Sequence, residues 1–420
     1  MIEITPHTIS HCQVTVPGSK SYTHRMVIAA ALADGVSKLK NALISEDTQF
    51  TMQALRQMGI RIDTTGSDVH VFGRGGSLDP CSSQLYLGNS GTSMRLITGI
   101  APLGRGSYTL TGTERMQERP LEDLLRALGQ VGIRARSLKN NGCPPVTITA
   151  GPVKKRQVEI DCQKSSQYLS ALLLLAPVTP RGLQIRVAGK MVSRPYVALT
   201  VALMKTFGIR IYHADYREFE VPGSQSYRAG TYTVEADCSQ AAYFWGAAAI
   251  TGAHITVKDV NPNSVQGDLR FLDLLEQMGC TILRDSAGIG VVGGRLRALE
   301  VDLANMPDQV PTLAVVSAFA EGTSRIKNIA HLKTKESNRL AATITELNNM
   351  GIETGQSGST LIVKGGRPRG AVIDTYDDHR IAMSFSLAGL KVPGISIRNE
   401  ACVSKSFPGF WSVFKELYRS

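Results

Sequence analysis

The sequence predicts an α/β protein built from six copies of one supersecondary unit, three in each of two domains. Three observations support this prediction. Six times a polar cluster opens directly into an apolar run that ends at glycine. A second series of glycines follows a second kind of apolar run. The length of 420 residues exceeds the size at which a single hydrophobic core usually stops growing.

The first series of glycines spans the whole chain at intervals of 70 to 76 residues. Its members are Gly35, Gly106, Gly182, Gly252, Gly322 and Gly394. The run before each glycine consists almost entirely of small apolar residues, and this composition predicts a helix that is buried on all sides. The polar clusters are therefore expected at the N-termini of buried helices, where free N–H groups favour anions.

The second series marks a second helix in five of the units. Its members are Gly59, Gly132, Gly208, Gly279 and Gly351, at intervals of 71 to 76 residues. Each follows apolar residues at helical spacing and precedes a short apolar stretch, such as the one at 60–62. This order predicts a helix, a C′ glycine and then a strand.

Composition narrows the class of protein. No run approaches the ~20 apolar residues of a membrane span, and no basic-then-apolar leader opens the chain, so we expect a cytoplasmic protein without membrane contact. The seven cysteines are scattered, which predicts reduced thiols. The eight histidines form no ligand cluster, which predicts no protein-bound metal.

The net charge of +11 raises the question of nucleic-acid binding. The basic residues are dispersed, however, and aromatic residues make up only 6% of the chain. Many basic side chains also fall at the polar helix starts. This placement favours small anionic substrates over a phosphate backbone, and we predict no nucleic-acid partner.

Several of the polar clusters carry more chemistry than a helix start requires. Lys20 and Arg25 open a helix that is otherwise apolar, which indicates an anion site. The Ser165-Ser166-Gln167 cluster offers two hydroxyls and an amide where one N-cap would suffice. Gly91, in an Asn-Ser-Gly-Thr segment, lets a ligand approach the backbone closely.

The segment 333–339 combines three cations with a candidate acid. Lys335 and Arg339 are four residues apart, which predicts one helical face, where like charges cost stability unless an anion lies between them. Glu336 beside them is a candidate acid/base group. Asp308, in isolation, has the pattern of a simple helix cap.

In this order, from Pro17 to Pro408, the clusters resemble the 5-enolpyruvylshikimate-3-phosphate synthases of the enolpyruvyl transferase family. The resemblance implies a two-domain inside-out α/β barrel with three β-α-β-α-β-β units per domain. One domain would comprise residues 19–235 and carry most contacts to shikimate 3-phosphate. The other would join 1–18 to 236–420 and carry the acid/base residues and part of the phosphoenolpyruvate site. A monomer is implied as well.

The implied reaction transfers the enolpyruvyl group of phosphoenolpyruvate to the 5-hydroxyl of shikimate 3-phosphate through a tetrahedral intermediate and releases phosphate. It is a step of the shikimate pathway to chorismate and the aromatic amino acids. The resemblance implies no metal or organic cofactor, and only small-molecule partners. Gly91 and the loop at 115–120 resemble the glyphosate-sensitive members of the family.

The resemblance also assigns residues position by position. Asp308, Glu336 and Lys20 are implied as catalytic, and the division of proton-transfer roles among them stays open. The implied contacts to shikimate 3-phosphate are Lys20, Ser21, Arg25, Ser165, Ser166, Gln167, Ser193, Tyr196, Asp308 and Lys335. The implied contacts to phosphoenolpyruvate are Lys20, Asn89, Gly91, Arg119, Gln167, Arg339, Arg380 and Lys405. Two positions depart from the pattern, Asn338 where aspartate is usual and His331 where some members have asparagine, so no contact is assigned to His331.

Two other classes of protein share such repeats. The sister enolpyruvyl transferases act on UDP-N-acetylglucosamine and carry a reactive cysteine in the loop that here spans 113–120 without one. The clusters at 165–167 and 193–196 also favour shikimate 3-phosphate. Proteins related to RNA 3′-phosphate cyclase would need a nucleotide-accepting histidine and a more continuous basic face. The sequence therefore favours shikimate 3-phosphate as the acceptor.

Overall fold

The computed structural model describes residues 1–419 and divides into two compact units. Unit one comprises Met1–Pro17 and Glu235–Ser420, and unit two comprises Gly18–Val234. Within residues 1–419, no helix combines the length and apolarity needed to cross a membrane.

The helices and strands alternate along the described chain. The helices are α1 (Lys20–Leu32), α2 (Glu46–Gln57), α3 (Gly91–Ile100), α4 (Glu122–Gln130), α5 (Gln167–Leu175), α6 (Arg194–Thr206), α7 (Cys238–Thr251), α8 (Phe271–Gln277), α9 (Val310–Ser317), α10 (Arg339–Asn349), α11 (His379–Gly389) and α12 (Phe410–Phe414). The strands are β1 (Ile2–Ile4), β2 (His11–Val14), β3 (Asp34–Lys40), β4 (Arg61–Thr65), β5 (Asp68–Arg74), β6 (Leu85–Tyr86), β7 (Ser107–Thr111), β8 (Arg134–Ser137), β9 (Val146–Thr149), β10 (Gln157–Asp161), β11 (Leu183–Ala188), β12 (Tyr212–Ala214), β13 (Glu218–Val221), β14 (Thr231–Thr233), β15 (His254–Lys258), β16 (Thr281–Asp285), β17 (Gly288–Val292), β18 (Glu300–Asp302), β19 (Thr323–Lys327), β20 (Thr354–Ser357), β21 (Thr360–Lys364), β22 (Val372–Ile373) and β23 (Ile395–Ile397).

Each repeat contributes one sheet, and the sheets share one topology. In unit two the strand orders are β14-β3-β5-β4, β6-β7-β9-β8 and β10-β11-β13-β12. The first pair of each is parallel and the other pairs are antiparallel. Unit one repeats this topology in β2-β15-β17-β16 and β18-β19-β21-β20, and its third sheet, β22-β23-β1, has three strands. The six predicted copies are therefore confirmed.

The N-terminal strands explain why unit one is discontinuous in sequence. Strand β1 pairs with β23, and β2 pairs with β15, so the first residues of the chain complete sheets formed by its second half. In unit two, β14 returns to pair with β3. Unit one is thus completed by two strands from the N-terminus of the chain, and unit two by a strand from the end of its own segment.

Both series of glycines adopt the left-handed backbone that the pattern predicted. The six glycines of the first series have φ between 68° and 107°, and the five of the second between 78° and 110°. Side chains with a Cβ adopt this region at a cost, whereas glycine enters it freely. The second series lies at the C′ position of its helices, as predicted. In the first series only Gly252 directly follows its helix, and the other five glycines lie three to seven residues beyond the helix end, in or just before a strand.

The first helix of each repeat forms the core of its unit. In unit two, α1 and α5 both pack against α3, and in unit one α7, α9 and α11 pack against one another. Almost every residue of these helices is buried, including the run 168–175 of α5. Helices inside and sheets outside are the arrangement of the predicted inside-out α/β barrel.

One prediction of local structure is wrong. Helix α10 begins at Arg339, and Lys335 precedes it in an extended conformation, so the two cations do not share a helical face. The helix starts late because Asn338 caps it, accepting a hydrogen bond from the backbone N–H of Ala341 at 3.3 Å. Asparagine and aspartate cap helices about equally well, so the departure from the family pattern at 338 leaves this helix start intact.

Two glycines within helices provide a matched test of the core packing. A Cβ on Gly99 of α3 would lie 2.6 Å from the Cβ of Ala171 in α5, whereas a Cβ on the exposed Gly129 of α4 would meet nothing within 4 Å. Gly99→Ala should therefore destabilise by about 1–3 kcal/mol through overpacking. Gly129→Ala should stabilise by about 0.5–1 kcal/mol because alanine favours the helix. Calorimetric unfolding checks both, and a midpoint for Gly99→Ala at or above that of the parent would contradict the packing.

Candidate active site

Arg339 lies at the centre of a charge cluster in unit one. Its side chain is fully buried, and three carboxylates surround it. It donates through Nη1 to Asp308 at 3.0 Å, through Nη2 to Glu336 at 2.5 Å and through Nε to Asp378 at 2.9 Å. Burial disfavours the charged guanidinium, but the three carboxylates outweigh burial and raise the pKa of Arg339. The cation and its three carboxylates thus hold one another in place.

Asp308 lies between two guanidinium groups. Its Oδ2 is 2.7 Å from Nη2 of Arg380, and its Oδ1 accepts the bond from Arg339. Burial raises the pKa of this carboxyl, but Arg380, Arg339 and then Lys335 outweigh burial and hold it well below its usual range. Asp308 belongs to the 3-10 segment Pro307–Gln309, immediately before the buried α9. The side chain retains 20% exposure, so it is an ionised carboxylate within reach of solvent.

Asp378 orients the start of α11. It is fully buried, and it accepts hydrogen bonds from the backbone N–H of Arg380 at 3.0 Å and from the hydroxyl of Ser337 at 3.0 Å. Arg380 in turn donates to the hydroxyl of Tyr243 at 3.2 Å. One carboxylate therefore caps the helix that carries Arg380 and neutralises Arg339.

The remaining predicted residues of unit one lie on neighbouring segments. Lys335 is half-buried at the end of the 3-10 segment Ala330–Thr334. Burial, and next the charge of Lys335, lower the pKa of His331 to about 3, so this imidazole is neutral. Lys405 is 5% exposed and ends the segment Glu400–Lys405, which packs against α11.

Lys20 is the first residue of α1 in unit two. Its Nζ lies 2.9 Å from Oδ2 of Asp47 in α2, and the two side chains are 12% and 2% exposed. This ion pair fixes the ammonium group at the N-terminus of the buried helix α1. The carbonyl of the next residue, Ser21, accepts a hydrogen bond from Nη1 of Arg25 at 3.0 Å.

Arg25 is a buried cation held by neutral groups. Its side chain is 1% exposed, and besides Ser21 its hydrogen bonds go to the hydroxyls of Thr200 at 2.7 Å and Ser170 at 3.4 Å. Burial lowers the pKa of Arg25 to about 10, and the hydroxyls of Tyr196 and Tyr22 only partly oppose this. A buried cation among neutral partners is a strong site for an anion.

Arg119 and Gly91 lie together at the start of α3. Nη1 of Arg119 donates to the carbonyl of Asn89 at 2.8 Å and to its side-chain oxygen at 3.0 Å. A Cβ on Gly91 would come within 2.5 Å of Nη2 of Arg119 and of Nη1 of Arg95. The absence of a side chain at 91 therefore makes room for two buried guanidinium groups.

The hydroxyl cluster before α5 links to the start of α6. Ser166 donates to the carbonyl of Ser193 at 3.1 Å, and Ser165 accepts from the backbone N–H of Gln167 at 3.2 Å. Nε2 of Gln167 donates to the hydroxyl of Thr92 in α3 at 3.0 Å. Ser193 has φ of 56°, an uncommon left-handed conformation for a residue with a Cβ. Such strain is typical of binding and catalytic sites.

The sequence missed the residues that hold the predicted cations. The pairing of Asp47 with Lys20 and that of Asp378 with Arg339 are not predictable from the sequence, although Asp378 stands in the 377–380 cluster and directly precedes a helix. Their partners are distant in sequence, so no local pattern links them. Among the described residues, no group of three or more His, Cys, Asp or Glu is arranged to hold a metal.

Comparisons with known proteins show which family the chain belongs to. The family model for EPSP synthase (3-phosphoshikimate 1-carboxyvinyltransferase) matches residues 5–414. The 3-phosphoshikimate 1-carboxyvinyltransferase of Syntrophobacter fumaroxidans is 42% identical over 417 residues, 99% of each chain. That of Vibrio atlanticus is 40% identical over 410 residues, 96% of each chain. A solved EPSP synthase from Acinetobacter baumannii is 29% identical, with a TM-score of 0.82 over 99% of this chain and 97% of that chain.

A family match of nearly full length, relatives at about 40% identity and the shared fold all point the same way. The chain belongs to the EPSP synthase (3-phosphoshikimate 1-carboxyvinyltransferase) family.

Proposed function

We propose that this chain transfers the enolpyruvyl group with Lys20, Asp308 and Glu336 as its proton carriers. The activity is that of a 3-phosphoshikimate 1-carboxyvinyltransferase (EC 2.5.1.19), a step of the shikimate pathway. One observation carries the assignment of residues: in unit one the candidate acids and the candidate cations form a single hydrogen-bonded cluster around Arg339.

In the free enzyme the carboxylates around Arg339 are paired with cations. Three carboxylates, Asp308, Glu336 and Asp378, accompany three cations, Arg339, Arg380 and Lys335. An anionic phosphate or carboxylate group that binds the arginines adds negative charge and takes their positive charge away from Asp308. Both effects raise the proton affinity of Asp308. A carboxylate that is too weak a base in the free enzyme thereby becomes able to take a proton from a hydroxyl.

The proposed addition step moves two protons. Glu336 first takes up a proton, because an anion bound to Arg339 raises its proton affinity as it does that of Asp308. Asp308 then accepts the proton of the 5-hydroxyl while the hydroxyl oxygen bonds to C2 of phosphoenolpyruvate, and Glu336 donates its proton to the methylene carbon. The tetrahedral intermediate results. In the elimination step, Lys20 donates a proton to the departing phosphate oxygen, and Glu336 takes a proton back from the methyl group to restore the double bond.

The proposed binding residues form two sets, one for each substrate. For shikimate 3-phosphate we propose Lys20, Ser21, Arg25, Ser165, Ser166, Gln167, Ser193, Tyr196, Asp308 and Lys335. The support is strongest for Arg25, whose buried charge has only neutral partners among its hydrogen bonds. A phosphate would supply the missing negative charge.

For phosphoenolpyruvate we propose Lys20, Asn89, Gly91, Arg119, Gln167, Arg339, Arg380 and Lys405. The cations Arg119, Arg339, Arg380 and Lys405 are at most 5% exposed, and buried cations of this kind favour anionic ligands. We also propose domains at 19–235 and at 1–18 with 236–420. The division of the chain into compact units at 17/18 and 234/235 supports these boundaries.

Loss of a proton carrier should slow the reaction without unfolding the protein. We expect Glu336→Gln and Lys20→Met to lower phosphate release from phosphoenolpyruvate by about 10²- to 10⁴-fold, the usual contribution of a general acid or base. The matched control is Glu353→Gln, because the 74%-exposed Glu353 pairs only with the surface residue Lys364 among the described ion pairs. That variant should retain the parent rate. Release with UDP-N-acetylglucosamine in place of shikimate 3-phosphate would contradict the proposed acceptor.

A side chain at Gly91 should disturb the phosphoenolpyruvate site selectively. The added Cβ of Gly91→Ala lies within 2.5 Å of Nη2 of Arg119, so this guanidinium must shift. We expect a severalfold higher KM for phosphoenolpyruvate and a larger loss of glyphosate inhibition, with the KM for shikimate 3-phosphate unchanged. Gly151→Ala is the control, since its Cβ would meet nothing within 4 Å. An unchanged inhibition constant in Gly91→Ala would refute this.

A further inference from the structure

A second buried carboxylate lies behind Asp308. Asp268 belongs to the 3-10 segment Gly267–Arg270 and is 3% exposed. Its Oδ2 accepts hydrogen bonds from the hydroxyl of Ser239 in α7 and from Nε2 of Gln309 at 3.1 Å. Gln309 directly follows Asp308 in the chain. The carboxylate is therefore one side chain away from the proposed base.

The hydrogen bonds among Asp268, Ser239 and Gln309 are an unfavourable arrangement if their only role is to stabilise the fold. Oδ1 of Asp268 and Oε1 of Gln309 are both buried without a hydrogen-bond partner among the described residues. Each unsatisfied acceptor costs free energy, and apolar side chains in both places would avoid that cost. Burial and then the neighbouring Asp308 raise the pKa of Asp268 to about 6, which is a further sign of an unfavourable environment for the charge. A functional constraint accounts for such a pair better than packing does.

The connection to Asp308 runs through the backbone. Gln309 is fully buried, and its backbone N–H donates to the carbonyl of Met306 at 3.1 Å, closing the turn that contains Asp308. The hydrogen bond from its side chain to Asp268 ties this turn to the segment before α8. The orientation of the Asp308 side chain thus depends on the hydrogen bond between Gln309 and Asp268.

We propose that Asp268 is a positioning residue for Asp308 and that it acts through Gln309. The proposal rests on the proton-accepting role proposed above for Asp308. Two donors share one oxygen of Asp268, and only one of them leads to Asp308. Gln309 connects to the proposed base, whereas Ser239 connects to α7. The structure therefore offers a matched pair of variants that separates positioning from stability.

Four single variants test the route. Asp268→Ala and Gln309→Met should each lower kcat by about 10- to 100-fold, the scale of a displacement of a catalytic group by about 1 Å, with both KM values within threefold of the parent. Asp268→Asn should rescue the rate to within threefold, because its carboxamide oxygen can still accept both bonds. Ser239→Ala should also stay within threefold, even if its unfolding midpoint falls. Equal losses of kcat in Ser239→Ala and Gln309→Met would overturn the proposal.

A double-variant cycle identifies the partner. If Asp268 acts only through Asp308, Asp268→Ala should cost nothing further in an Asp308→Ala background. Losses that multiply would overturn the proposal and indicate a general structural role. Parent-like activity of Asp308→Ala would instead refute the role of Asp308 itself. If Asp268→Ala does not fold, Gln309→Met combined with Asp308→Ala gives the same comparison, and parent-like kcat in Gln309→Met alone would refute the route.

Discussion

The buried guanidinium of Arg339 is the group on which the charge cluster of unit one depends. An arginine cannot shed its proton, so its burial requires carboxylates, and three of them are supplied from three different segments. Asp308 comes from the turn before α9, Glu336 from the approach to α10 and Asp378 from the start of α11. One cation thereby fixes the relative positions of the candidate acids. The demand for charge compensation, more than local rigidity, sets this geometry.

The buried guanidinium groups of the two units are held in opposite ways. In unit one, Arg339 and Arg380 carry their own carboxylates, so an incoming anion must compete with them. In unit two, Arg25 is held by hydroxyls and a carbonyl, and its charge awaits an anion. The first arrangement couples anion binding to the proton affinity of Asp308. The second favours the binding of a phosphate to Arg25 without changing the proton affinity of Asp308 or Glu336.

The sequence could predict the repeats because their signal is a backbone requirement. All eleven periodic glycines have positive φ, after a helix or at the approach to a strand, and glycine adopts this backbone without the cost that a side chain would add. The binding residues could be found because they stand at the starts of these helices. The partners of buried polar groups could not be found in this way. Lys20 and Asp47 are 27 residues apart, and Arg339 and Asp378 are 39 apart. Gln309 and Asp268 are 41 residues apart. Tertiary packing alone joins such pairs.

The segment 335–339 does not form the helix that the spacing of its charges predicts. The spacing of four residues between Lys335 and Arg339 predicts a shared helical face. In the structure Asn338 caps α10, which begins only at Arg339, and Lys335 is extended. Because the helix starts late, Glu336 reaches Arg339 from an irregular segment. The contact between Glu336 and Arg339 therefore joins an irregular segment to the first residue of α10.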